Sequence, residues 1–215
     1  MALVGAAWSL RTMEPLLLIL TRSLVERSIR MSSKQLRFLG AAVFIGSTVG
    51  SLGAGIFGDS CGRRRTLLVA ATLSALGLAG TAMARAYPEL LVGHILAGLG
   101  LGAELPSALT LLYELGSQRG NGVAMLGVFG GIGAVSSVAL AFAAGPTLGW
   151  RRLYLAVSAM AAVHAGLMYW WMPESPKWSA IPGNTKRVAQ LPEIEPEWNG
   201  VDEERVTMAE VSFKS

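Results

Sequence analysis

Glu104 is an ionisable residue within a long apolar stretch of the sequence, residues 90–113. An ionised side chain at the centre of a bilayer costs about 2.5 kcal/mol or more on insertion scales, so such a carboxyl group is a candidate functional group. The chemistry open to it is the binding of a proton or of a cationic group. The alternative is a packing role, in which a neighbouring helix or the backbone near Pro106 satisfies the carboxyl group.

Arg11 and Glu14 form a second group of ionisable residues inside an apolar stretch, residues 2–20. Their spacing places both side chains on one face of a helix. They can pair with each other within the helix, or they can face a central cavity, where Arg11 would attract an anionic solute. The two histidines, His94 and His164, also lie in apolar stretches, and we interpret each as a packed polar residue and not as a proton relay.

A charged loop, residues 58–65, separates two further apolar stretches and holds Asp59, Gly62, Arg63 and Arg64. Glycine permits a sharp reversal of the chain. Arginines at the ends of two helices can pair with carboxylates of neighbouring helices, so we expect an ionic latch here. The alternative interpretation is that the arginines set the membrane topology and bind lipid phosphates.

Long apolar segments must position these residues. The chain has 215 residues, of which 52% are hydrophobic and 15% charged, with a mean hydropathy of +0.48. A helix needs about 20 apolar residues to cross a hydrocarbon core. Six segments approach this length: residues 2–20, 36–57, 66–84, 90–113, 123–144 and 153–172. We therefore predict an integral, multi-pass, all-α membrane protein with a bundle of six transmembrane helices.

Glycines at four-residue spacing predict where these helices pack closely, because small residues let two backbones approach. This spacing occurs at Gly98 and Gly102 in the fourth segment and at Gly127 and Gly131 in the fifth, and the second segment offers a small-residue face with Gly46, Gly50, Gly53 and Gly55. Three tryptophans are expected at the level of the lipid headgroups: Trp150, Trp170 and Trp171.

The segments outside the bundle are polar. Residues 21–37 are predicted to form a loop or an interfacial segment, and residues 173–215 a partly disordered cytoplasmic tail or central loop. Basic residues are nearly balanced between the two sides of the bundle, and the triplet at residues 63–65 is the strongest indication of the cytoplasmic side.

Several functional classes receive no support from the sequence. Cys61 is the single cysteine, so an internal disulfide is excluded and no zinc-binding spacing occurs. No glycine-rich phosphate loop or nucleophile motif is present, so we expect neither an enzyme nor a cofactor nor a metal site. The net charge is +4, but the arginines lie in short clusters between apolar segments, which argues against nucleic acid as a partner.

Three motifs, in order along the chain, resemble a known family. Residues 55–64, GIFGDSCGRR, are similar to the loop between the second and third helices of the major facilitator superfamily, G-x-x-x-D-[RK]-x-G-R-[RK], with Ser60 in place of a basic residue. Residues 98–106, GLGLGAELP, resemble the fourth helix of its sugar, organic-ion and aromatic-acid porters. Residues 173–178, PESPKW, resemble the end of their sixth helix. The Met13–Glu14 pair is similar to the first helix of synaptic-vesicle-two-like and niacin-type porters.

The resemblance implies the amino-terminal six-helix half of such a porter, whose solute site lies between two halves near the bilayer midplane. It also implies a conformational latch made of these residues: Gly55, Asp59, Gly62, Arg63, Arg64, Glu114 and Arg119. In the latch, Glu114 and Arg119 are the expected partners of Arg63 and Arg64. The family commonly has an acidic residue where Arg11 stands, so the resemblance transfers no role to that arginine.

The function implied is secondary active transport of a small organic solute, an organic ion, aromatic acid or sugar, by alternating access. Glu104, Glu14 and Arg11 are the candidate solute-binding or proton-binding residues. The expected partners are the lipid bilayer, the solute, protons, and either a second copy of the chain or a second transporter half. The alternative is a truncated or divergent membrane interaction protein that retains the half-fold without transporting.

Overall fold

Helices form almost all of the described part of the chain, which in this computed structural model is residues 2–114 and 119–179. They are α1 (Ala2–Ile29), α2 (Ser33–Cys61), α3 (Arg63–Met83), α4 (Tyr87–Glu114), α5 (Arg119–Trp171) and the short α6 (Pro176–Ser179). No strand occurs within these two ranges. Most of the predicted tail, residues 180–215, lies outside the described residues.

The first connection is shorter than the sequence predicts. α1 contains Pro15 and continues to Ile29, so the connection to α2 is confined to residues 30–32. A capping box begins α2: the Ser32 hydroxyl accepts from the Gln35 N–H at 3.3 Å, and the Gln35 side chain accepts from the Ser32 N–H at 2.9 Å. This S-x-x-Q pattern is a sequence signal for a helix start within the segment predicted as loop.

The predicted fifth and sixth segments are joined without a loop. α5 runs through both and is kinked at Gly149, whose φ of 75° and ψ of 160° are not helical. Glycine adopts such a positive φ without the steric penalty of a Cβ. The kink divides α5 into a first limb, residues 119–148, and a second limb, residues 150–171.

A close-packed seam joins α2 to α4, the helix that also packs along α3. The seam consists of Gly46 and Gly50 on α2 and Gly98 and Gly102 on α4. A Cβ atom added at any of them would collide with the backbone of the opposite helix. The predicted small-residue packing is confirmed at these four glycines, but it is wrong for Gly53 and Gly55 of α2, where an added Cβ would meet no atom within 4 Å.

The predicted packing face of the fifth segment is wrong. Cβ atoms at Gly127 and Gly131 would meet no atom within 4 Å, whereas Gly130 and Gly133 face α1. The Ser9 hydroxyl of α1 donates to the Phe129 carbonyl at 2.7 Å across this contact. Four-residue spacing finds glycines that share a face, but it does not say which face meets a partner.

Four helices are long and apolar enough to cross a membrane within the described residues: Ser33–Cys61, Arg63–Met83, Tyr87–Glu114 and Thr147–Trp171. Gly127–Ala143 is a shorter apolar helix. Trp170 and Trp171 are exposed on the surface. Trp150 is not a surface anchor, because it is 4% exposed and packs edge-on against Tyr154 inside the bundle.

Candidate functional site

Two acidic side chains from different helices meet in one interior cavity. Glu14 of α1 and Glu104 of α4 line it together with Arg11 and His164. Both carboxyl groups are buried, Glu14 at 1% exposure and Glu104 at 6%. The cavity measures about 10 Å³, which is about the room that one water molecule needs. It is large enough for a proton-carrying water and too small for an organic solute.

The cavity is poor in hydrogen-bond partners for these acids. Neither carboxyl oxygen of Glu14 has a partner within the described residues, and the same holds for the Ser74 hydroxyl and His164 Nε2. A buried carboxylate without partners is strongly disfavoured, and its neutral, protonated form is disfavoured much less. The site is therefore chemically suited to the uptake and release of a proton.

Arg11 extends from α1 to α4 and links the cavity to the surface. Its Nη1 donates to the Leu101 carbonyl at 2.6 Å, and its guanidinium lies 4.9 Å from the centre of the Trp8 ring. Within residues 2–114 and 119–179, no carboxylate oxygen lies within 4.0 Å of its nitrogens. Arg11 also lines an open groove of about 300 Å³ beside α2 and α4.

Arg63 joins the ends of three helices, α2, α3 and α4. Its Nε donates to Glu114 of α4 at 3.2 Å, and its Nη2 contacts Asp59 of α2 at 2.9 Å. The side chains of Arg63 and Glu114 are 15% and 10% exposed, whereas that of Asp59 is 77% exposed. Exposed ion pairs contribute little, so Glu114 is the stronger of the two contacts.

Arg64 differs from the prediction, because no carboxylate side chain pairs with its guanidinium within the described residues. The buried guanidinium donates to the Tyr169 carbonyl at the end of α5 and lies 5.9 Å from the centre of the Tyr169 ring. The side chain of Arg119, its other predicted partner, lies outside the described residues. Arg64 thus holds the second limb of α5 against α3.

Glu174 is a residue of this region that sequence analysis missed. It accepts the Arg64 N–H at 3.0 Å, at the first turn of α3, and no side chain caps this helix at Gly62. A carboxylate there is favoured by the helix dipole. Trp178 Nε1 in turn donates to the Asp59 carbonyl at 3.0 Å. The signal was present in the PESPKW motif, which contains both residues.

Gly55 and His94 lie outside both the acidic cavity and the Arg63 cluster. Gly55 lies on the outer face of α2, where an added Cβ would meet no atom within 4 Å. His94 is packed between helices, with Nδ1 2.9 Å from the Leu90 carbonyl and 3.3 Å from the Thr81 hydroxyl. No group of three His, Cys, Asp or Glu side chains suited to a metal ion occurs in the part of the chain that the structure describes.

Comparisons with known proteins all point to the same family. The family model described as Major Facilitator Superfamily matches residues 2–210. Synaptic vesicle 2-related protein of Xenopus laevis is 32% identical over 187 residues, which are 86% of this chain and 34% of that protein. The 3-(3-hydroxy-phenyl)propionate transporter of Escherichia coli (strain K12) is 29% identical over 153 residues, 70% of this chain and 38% of that protein.

The fold is that of solved members of the same superfamily. The structure of the proton:xylose symporter XylE bound to 6-bromo-6-deoxy-D-glucose superposes with a TM-score of 0.78 at 20% identity, covering 87% of this chain and 47% of that one. The chain spans about a third of the length of the curated relatives it matches and about half of the solved symporter. With the two limbs of α5 counted separately, its six long helical segments correspond to the amino-terminal half of the major facilitator fold.

Proposed function

The chain belongs to the major facilitator superfamily, and we propose that it acts as one half of a secondary transporter that moves a small organic solute across a membrane by alternating access. The observation that carries the proposal is the meeting of Glu14, Glu104 and Arg11 beside an open groove. Major facilitators bind their solute between two halves near the bilayer midplane. The groove is a surface that a second half would close.

Protons are the proposed coupling ion. Glu104 and Glu14 share a cavity of about 10 Å³, which suits a proton and excludes an organic solute. A relative in the same superfamily, XylE, is described as a proton:xylose symporter. The Glu104 side chain of α4 faces residues of α1, α3 and α5 in this cavity, so a change in its charge acts where four helices meet.

The proposed solute is an organic ion, an aromatic acid or a sugar. These classes agree with the names of an aromatic acid transporter and a xylose symporter among the similar proteins. The proposed partner is either a second copy of the chain or a separate second half, because the groove beside α2 and α4 is open on one side.

The latch residues are proposed to stabilise one conformation of the transporter. Arg63 connects the ends of α2, α3 and α4 through Asp59 and Glu114. Such a cluster at helix ends can break and re-form when two rigid halves rock against each other.

Uptake into membrane vesicles tests the proposal. Vesicles from cells that express the chain are given an inward proton gradient and radiolabelled benzoate, choline or xylose. We expect at least one of these solutes to accumulate above its level in vesicles without the chain, and a protonophore to abolish the accumulation. Failure of all three to accumulate or to exchange across the membrane would overturn the proposed function.

A further inference from the structure

We propose that the groove beside Arg11 binds the anionic group of a small organic acid. This inference rests on the proposed function and narrows its solute class from three to one. The side chains that argue for it are Arg11 of α1, Phe44, Ser47, Ser51 and Leu52 of α2, and Leu105 of α4. We refer to this surface as the Arg11 groove.

The charge of the Arg11 groove is positive. Arg11 is the single charged residue that lines it, and no carboxylate lies within 4.0 Å of its guanidinium among the described residues. One nitrogen, Nη1, donates to the Leu101 carbonyl. The structure records no hydrogen bond for the other guanidinium nitrogens within the described residues. A guanidinium binds a carboxylate through two parallel hydrogen bonds, so Arg11 retains donors suited to an organic anion.

Hydroxyl groups lie on the wall of the Arg11 groove formed by α2. Ser47 and Ser51 are one helical turn apart, so both face the same side, and each lines the groove. Thr48 donates to the Phe44 carbonyl at 2.9 Å. For Ser47 and Ser51 no hydrogen bond is recorded within the described residues. These two hydroxyls are therefore free to donate to a carboxylate held by Arg11.

The rest of the Arg11 groove is apolar. Phe44 and Leu52 are 70% and 72% exposed on α2, and Leu105 completes the surface from α4. The volume of about 300 Å³ lies at the lower end of the range of small-molecule sites, roughly 300–1,000 Å³. One charged end and an apolar body fit a small monocarboxylate better than a sugar, which needs many hydrogen-bond partners, or an organic cation, which Arg11 repels.

Arg11 also lines the interior cavity that holds the proposed proton-binding residues, so the Arg11 groove and that cavity share one side chain. Glu14 of α1, Glu104 of α4 and His164 of α5 line the interior cavity that Arg11 also lines, and α3 contributes no ionisable side chain to it. A charged Glu104 opposes an anion in the groove, and a protonated Glu104 does not. One proton and one monocarboxylate would then bind together with no change in net charge.

Direct binding of labelled benzoate to the full chain in lipid nanodiscs tests the inference. We expect saturable binding that choline and xylose do not displace. Arg11→Gln should weaken the binding at least tenfold, and Arg11→Lys, which keeps the charge, should restore part of it. Unchanged benzoate binding by Arg11→Gln, or equal displacement by xylose, would overturn the inference.

A second pair of variants keeps the test decisive if Arg11→Gln does not fold. Ser51→Leu fills the groove from an exposed helix face, and we expect it to abolish benzoate binding. Gly53→Leu, on the same helix, adds the same side chain at a position where a Cβ meets no atom within 4 Å, and should bind benzoate like the unaltered chain. Equal binding by both variants contradicts the inference. Vesicles that accumulate choline or xylose but never bind benzoate would overturn the inference while the transport function stands.

Discussion

Gly62 is the residue on which the junction of α2 and α3 depends. Its φ of 98° lies in the region that favours glycine, and an added Cβ would collide with the carboxyl group of Glu174. Both effects oppose any side chain there. The junction thus positions Asp59 at the end of α2 close to Arg63 in the first turn of α3.

Substitution of Gly62 tests this assignment. Gly62→Ala should lower the stability of the chain by about 1 kcal/mol or more, because the positive φ is strained and Glu174 must move. The melting temperature of the purified chain in detergent is the measurement. Gly55→Ala is the matched control, since its Cβ meets open space. Equal melting temperatures for the two variants would show that the junction is not strained.

The ionisable residues in apolar segments could be predicted from the sequence, because the free energy of inserting each charged side chain into a membrane is high. Glu14 and Glu104 are identified in this way. His164, interpreted as a packed polar residue, is buried as expected and also lines the same cavity. Glu174 was missed because its contact with α3 joins residues 110 positions apart and no local pattern encodes that distance.

The α2–α4 seam determines how closely helices α2 and α4 approach each other. Its four glycines allow the two backbones to touch, which places Ser47 and Ser51 of α2 beside Leu105 of α4 in the Arg11 groove. Without a hydrophobic force between helices in lipid, close packing of this kind drives their association. The seam is therefore the structural support of the proposed site.

Overpacking the seam should separate the helices. A leucine at Gly50 would collide with the backbone of Leu99, and we expect a loss of about 3 kcal/mol or a failure to fold. Gly53→Leu on the same helix, which faces open space, should stay within about 0.5 kcal/mol of the unaltered chain. Thermal unfolding and size-exclusion profiles in detergent measure both. A Gly50→Leu variant as stable as Gly53→Leu would contradict the assigned packing.

The number and order of apolar segments could be predicted, but the ends of the helices could not. Apolar length located each segment, whereas α1 continued to Ile29 through charged residues and α5 passed through residues 145–148 before its kink. Polar residues end a membrane span without ending a helix. A single glycine with positive φ, Gly149, connects the predicted fifth and sixth segments. Hydropathy carries no information on that torsion angle.

The described part of the chain presents many large apolar side chains on its outer surface. Large apolar side chains are exposed along α2 and the first limb of α5: Phe44, Ile45, Val49, Leu52, Ile56, Val128, Ile132, Val135 and Phe142. Surfaces of this size require lipid or protein around them. The family and its half-fold could be predicted from three motifs, while the pairing of the Arg11 groove with the acid cavity required the relative placement of α1, α2 and α4.

In the proposed mechanism, protonation of Glu104 drives transport of the solute. The most direct test compares two assays on the same vesicles, accumulation driven by a proton gradient and exchange of solute at equal pH, for the unaltered chain and for Glu104→Gln. The variant carries a permanently neutral side chain of the same shape, so we expect exchange to be retained and gradient-driven accumulation to fall to the level without a gradient. Accumulation by Glu104→Gln equal to that of the unaltered chain would contradict the claim.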